Sequence, residues 1–150
     1  MANTIDLATK KEFLKKQACF SQFTDEETEV LASLLVEQQV SPGTTIVTEG
    51  DPVDSVYLIV KGMADVRHIT LRDNVTHIES VAKLGPNEAI GLNEAGFYSL
   101  SGIRTATVVA ISEMTLLRLS VATFHGFALT YSHVNEVMRK NAEAFLNAKI

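Results

Sequence analysis

The sequence predicts a mainly β domain, a sandwich or jelly-roll barrel, with helices at both ends. Three observations carry that prediction. Between Val40 and Ser120 the chain falls into short β-like runs, each closed by a turn signal. No long helical stretch separates those runs, so parallel α/β folds, which need crossover helices, are excluded. Helical periodicity is confined to the residues before and after this region.

The first expected helix covers residues 7–20, with Leu7, Phe13, Leu14 and Ala18 at mixed helical spacing. Lys10, Lys11, Lys15 and Lys16 make a basic patch on it, read as a solvated face. Thr24 followed by Glu27 is a capping-box signal. It opens a second helix, 25–36, whose apolar face is Val30, Leu31, Leu34 and Leu35. Ser41-Pro42-Gly43 then ends helical structure.

Six strands are expected, at 44–48, 55–61, 63–70, 76–84, 105–111 and 114–120. The turns between them are Glu49-Gly50-Asp51-Pro52, Lys61-Gly62, Asp73-Asn74, Gly85-Pro86 and Ser112-Glu113. Two helices follow, 121–129 and 132–150, split near Thr130-Tyr131. Val134, Val137, Met138, Ala142, Phe145 and Leu146 share one face of the last, as core, dimer seam or lid.

Composition sets the outer bounds. A chain of 150 residues suits one domain with a core of its own. With 46% hydrophobic and 21% charged residues, disorder is not expected. No apolar run reaches the roughly 18 residues of a membrane span, and the first residues show no secretory signal. The single Cys19 fits a reducing compartment, so a cytoplasmic location is expected. A net charge of −5 argues against broad nucleic-acid binding.

Residues 84–108 hold the parts of a phosphate site. Gly85, Gly91 and Gly96 lie close together around Glu94, and Arg104 stands at the mouth of a β-like run. Glycine lets backbone approach a ligand. Amides at a helix start attract anions, and a guanidinium grips two phosphate oxygens at once.

Taken in order, Pro42-Gly43, Glu49-Gly50-Asp51, Val56-Tyr57-Leu58-Ile59-Val60-Lys61-Gly62 and Arg104-Thr105-Ala106-Thr107-Val108 resemble the cyclic-nucleotide-binding domain family. This is the domain of the catabolite activator protein and of protein kinase A regulatory subunits. The likeness covers about residues 13–145. It implies a jelly-roll β-barrel (double-stranded β-helix) with N-terminal helices and a C-terminal helical lid. One domain is expected over 1–150, with a helical lead-in at 7–36, the barrel at 40–120 and C-terminal helices at 121–150.

The resemblance also implies roles. Arg104 pairs with the cyclic phosphate, and cassette amides around Gly91, Ala95 and Gly96 face phosphate or sugar. Thr105 donates to the phosphate or to a guanine amino group, or serves only as a β-branched strand residue. The ribose acceptor is ambiguous. Counted forward from Gly91 it is replaced by Leu92, whereas counted back from Arg104 it is Glu94. Glu94 is preferred, because Glu94-Ala95-Gly96-Phe97 resembles the family's pattern there. The base is placed by Val66, Val81 and Ala82, under the last helix, from which Arg139 or Asn135 reaches it.

The expected ligand is cAMP or cGMP, bound as a regulatory signal, with no other cofactor and with a protein partner or homodimer. Nucleic acid and membrane are not expected partners. Of the four histidines, His68 and His77 are expected to face each other across the hairpin, too few to ligate a metal. No nucleophile elbow or triad is legible, so the domain is not read as an enzyme. The rival reading is a barrel that has lost its ligand and serves as a protein-interaction module.

Overall fold

A computed structural model describes residues 5–93, 96–97 and 102–148. The helical lead-in is α1 (Leu7–Lys15), a 3₁₀ turn (Ala18–Phe20) and α2 (Asp25–Ser33). Then come β1 (Val36–Val40), β2 (Thr45–Val47), β3 (Ser55–Lys61), β4 (Ala64–Arg72), β5 (Val75–Leu84), β6 (Ala89–Ile90), β7 (Leu92–Asn93), β8 (Gly96–Phe97), β9 (Thr107–Ala110) and β10 (Met114–Ser120). The chain closes with α3 (Val121–Thr130) and α4 (Ser132–Ala148).

Eight of the strands form two four-stranded sheets, ordered β1-β10-β3-β6 and β2-β9-β4-β5. All their pairings are antiparallel. That order is the jelly roll. Side-chain alternation along β3 and β10 divides the core in two. Ile59, Met114 and Leu116 point into the barrel with Val47, Ala64, Ile90 and Val108. Val56, Leu58, Leu117 and Leu119 point the other way, onto the helices. There they meet Phe20, Phe23, Phe124 and Phe127, whose ring centroids lie 5.5–6.1 Å apart. A register shift between Thr115 and Leu116 lets β10 serve both layers.

The helical lead-in departs from expectation at three points. The first helix stops at Lys15, and only a 3₁₀ turn follows. The second stops at Ser33, because Val36–Val40 is drawn onto β10 as a strand. The barrel therefore begins before residue 40. The lysine patch is not a solvated face throughout. Lys10 is buried and its Nζ donates to the Leu35 carbonyl at 3.2 Å, while Lys11 Nζ lies 3.0 Å from Asp25. The capping box is present: Thr24 Oγ1 accepts from Glu27 N, and Glu27 Oε1 accepts from Thr24 N.

The β4–β5 hairpin turns at Asp73 and Asn74, at φ of 53° and 63°. Both residues tolerate that left-handed backbone, as a two-residue hairpin turn requires. Its register sets His68 opposite Glu79 and His77 opposite Thr70. The two histidines thus do not face each other as expected.

Candidate functional site: an arginine-floored cavity

The barrel encloses a cavity of about 460 Å³, within the usual range for a small-molecule site. Its walls are mostly apolar. They come from β2 (Val47), β4 (Val66), β5 (Val81, Ala82, Leu84), β6 (Ala89, Ile90) and the Arg104–Val108 segment. The polar side chains at the wall are Arg104, Thr105 and His68.

Arg104 is held at its backbone and at its head. Its N–H donates to the Asp51 carbonyl at 2.8 Å, and its carbonyl accepts from Gly50 N at 2.9 Å. The Pro52–Ile103 bridge and the Val53 N to Gly102 carbonyl bond (2.7 Å) complete the zipper. The side chain is only 7% exposed. Nη2 donates to the Ser55 carbonyl at 2.6 Å and lies 3.8 Å from Asp54 Oδ1. Burial pulls the guanidinium below its ordinary pKa, against the pull of Tyr57 and Asp54. An arginine stays charged through such a shift. The protein therefore maintains a buried cation beside an apolar cavity.

Gly91 makes room for it. Its φ is +94°, and a Cβ there would lie 3.1 Å from both Arg104 Nη1 and Val56 Cγ1. The rest of the Arg104 motif divides by direction. Thr105 is exposed at the cavity wall and Val108 points inward. Thr107 is buried, and its Oγ1 accepts from Glu49 N at 2.9 Å. Glu49 Oε1 in turn accepts from Ile69 N at 3.2 Å and lies 3.3 Å from His68 Nδ1. Thr107 thus sets the acidic turn, and that turn steadies the histidine at the wall.

Leu92 lines the cavity, at the position where the forward count places it. Glu94 and Ala95, the preferred ribose acceptor and an amide beside it, lie outside the described residues. Gly96 N donates to Asn93 Oδ1 at 3.2 Å, within the small β7–β8 hairpin. A Cβ on Gly96 would come 2.6 Å from Met138 Cε, so this glycine is where the cassette meets α4.

The expected C-terminal helices are present, and among the described residues none of α4 lines the cavity. Val134 and Val137 instead pack into the phenylalanine layer. Arg139 is exposed and pairs with Glu143 at 2.7 Å, a helix neighbour four residues on. Asn135 Nδ2 donates to the Ala128 carbonyl at 2.8 Å. In this arrangement both side chains are spent within the helical layer.

A family model described as the cyclic nucleotide-binding domain matches residues 37–131. The chain belongs to the cyclic nucleotide-binding domain family. Among curated relatives of this domain, a cAMP-dependent protein kinase regulatory subunit of Colletotrichum orbiculare is 30% identical over 114 residues. The match takes in 76% of this chain and 27% of that protein, so the chain spans about a quarter of the relative's length. The N-terminal domain of a transcriptional regulator from Streptomyces coelicolor A3(2) superposes with a TM-score of 0.77 at 25% identity, over 91% of this chain and 92% of that one. The regulatory domain of Toxoplasma gondii PKA, solved with cAMP, has the same fold, with a TM-score of 0.67 at 21% identity over 82% and 46%.

Three features of this cyclic nucleotide-binding domain escaped the sequence reading. Gly91 clears space for Arg104, Thr107 anchors Glu49, and His68 stands at the wall. Of these, only His68 carried a usable signal, since it is two residues from Val66 and so on the same face of the strand.

Proposed function

We propose that this domain binds a cyclic mononucleotide, cAMP or cGMP, in the barrel cavity and acts as a non-catalytic regulatory module. The observation that carries the reading is Arg104, a buried cation beside an otherwise apolar cavity. A guanidinium offers five N–H donors. Ser55 engages Nη2, and a cyclic phosphate has the charge and oxygens to engage others. Thr105 stands at the same wall to donate to the phosphate or a base amino group. The base lies against Val66, Val81 and Ala82, with His68 within the same wall. The ribose is assigned to Glu94, and phosphate or sugar oxygens to the amides of Ala95 and Gly96.

Regulation follows if nucleotide favours one arrangement of α4 over another. The contact of Gly96 with Met138 is the path by which the cassette moves that helix. Its protein target, a partner or a second copy, lies in the cytoplasm. No described helix is long and apolar enough to cross a membrane.

Calorimetric titration with cAMP and cGMP tests the reading. Loss of one charge-assisted partner costs about 1.5–3 kcal/mol, roughly ten- to a hundredfold in affinity. Arg104→Ala should weaken binding by that factor, and unchanged affinity overturns the assignment. One observation favours a second reading, a barrel without ligand that binds protein: Leu92 lines the cavity where a ribose acceptor is expected. Absence of any thermal shift at millimolar nucleotide selects that reading, since a specific ligand must raise Tm.

A further inference from the structure

The long hairpin leaves one sheet edge without a neighbouring strand among the described residues. β5 is the last strand of its sheet, and nearly all of it is exposed. The register tells which backbone groups are free. In a two-residue hairpin the flanking pair, here Arg72 and Val75, exchanges hydrogen bonds. Antiparallel alternation makes Thr70–His77 and His68–Glu79 the next bonded pairs. The N–H and C=O groups of Thr76, Ile78 and Ser80 therefore point away from β4. Natural edges are usually blunted by Lys, Pro or an inward charge, and none of these three residues supplies one. Their side chains share the face that carries Ile69 and Leu71. Ile69 (43% exposed), Leu71 (69%) and Ile78 (63%) leave an apolar stripe there.

We propose that β5 pairs antiparallel with β5 of a second copy of this chain, about a twofold axis at Ile78. Self-complementarity selects this occupant. Ile78 meets the partner's Ile78, and Thr76 meets the partner's Ser80. On the opposite face His77 meets the partner's Glu79, an acceptor for the imidazole. Ile69, Ile78, the partner's Ile78 and the partner's Ile69 form one row across the join. All the outward-facing residues pair with one another, which gives three bonded pairs and hence about six main-chain hydrogen bonds. The β2-β9-β4-β5 sheets of the two copies become one continuous eight-stranded sheet.

Neighbouring registers fail for identifiable reasons. Opposing an outward-facing residue to an inward-bonded one sets groups already bonded to β4 against the join. An axis at Glu79 opposes that carboxylate to the partner's Glu79, and an axis at His77 sets Ile78 against the partner's Thr76 and loses the isoleucine row. An axis at Thr76 opposes Glu79 to the partner's Asp73, which are like charges. An axis at Ser80 opposes Ile78 to the partner's Ala82 and runs into the irregularity that leaves Val81 unpaired between Ser80 and Ala82.

Cysteine cross-linking of the full chain reads the register directly. A bonded antiparallel pair sets Cα atoms about 5.5 Å apart, within the roughly 4.4–6.8 Å that a disulfide spans. Ile78→Cys should give covalent dimers under mild oxidation. In the same register the two Thr76 positions are about 13 Å apart, so Thr76→Cys alone should stay monomeric, while a mixture of Thr76→Cys and Ser80→Cys should cross-link. The native Cys19 is buried and does not compete. Each substitution leaves the main-chain bonds to β4 in place, and Ser80→Cys gives up the Ser80 hydroxyl's bond to Asp65. Sedimentation of wild type and Ile78→Lys is the second measurement, with self-association expected to weaken at least about tenfold in the variant. No cross-link at Ile78, equal cross-linking at Thr76, or a wild type that stays monomeric because another protein's strand takes the edge would each overturn the proposal.

Discussion

The buried cation of this domain depends on what its neighbour lacks. A Cβ on Gly91 would press within 3.1 Å of Arg104 Nη1, which would have to give way. Gly91→Ala adds both a clash and a left-handed φ, at about 1–3 kcal/mol for the backbone alone. Urea denaturation should register that loss, and calorimetry should show weakened nucleotide binding as Arg104 is displaced. Gly102→Ala is the control. Its φ is also positive, +76°, but no described residue lies within 4 Å of where its Cβ would stand, so it should cost stability while leaving affinity near wild type. The Arg104–Val108 motif was legible because its information is local, one residue type per position. The glycine end was not. Gly91 is explained by a side chain thirteen positions away, and adjacency of that kind is written only in the fold.

Among elements, β2, β3, β4, β5, β9 and β10 were legible from alternation and turns, and β1 was not. Val36-Glu37-Gln38-Gln39-Val40 places polar residues at three successive positions and shows no period of two. It becomes a strand because β10, far along the chain, supplies hydrogen bonds and a register from Val36–Arg118 to Val40–Met114. The lead-in helix α2 shows the opposite case. Its capping box was legible and is formed as read. Thr24→Ala should cost about 1 kcal/mol of stability by the usual worth of such a cap, measured as a lower denaturation midpoint with an unchanged slope.

At the scale of the molecule, the two ends of the chain close over one face of the barrel. The link is Glu27, whose Oε1 lies 2.8 Å from His133 Nδ1 at the start of α4. Burial alone raises the Glu27 carboxyl, but the Thr24 amide and His133 outweigh it and hold the group below its ordinary value of 4.5. A carboxyl lowered on folding stabilises the fold above its unfolded pKa, and that stability is lost as pH falls through the folded value. The folded state should therefore weaken below pH 4.5, and Glu27→Gln should flatten that dependence in denaturant titrations run at successive pH values. The pairing of distant ends was not legible, since neither Glu27 nor His133 carries a local sign of the other. The resemblance supplied the jelly roll and the C-terminal helices, while the packing of Val134 and Val137 on the phenylalanine layer is seen only in the fold.

That packing gives the protein a clock. Its one cysteine is 1% exposed beneath the helices, and Asn141 of α4 donates to the Cys19 carbonyl at 2.8 Å. Burial pushes the thiol up to about 12, so in the closed form it is neither accessible nor ionised. Alkylation must then wait for the helical layer to lift, and its rate counts those openings without any engineered probe. Saturating cyclic nucleotide should change the alkylation rate of the wild type and leave that of Arg104→Ala unaltered. A rate indifferent to nucleotide in the wild type would show that ligand and helix move independently.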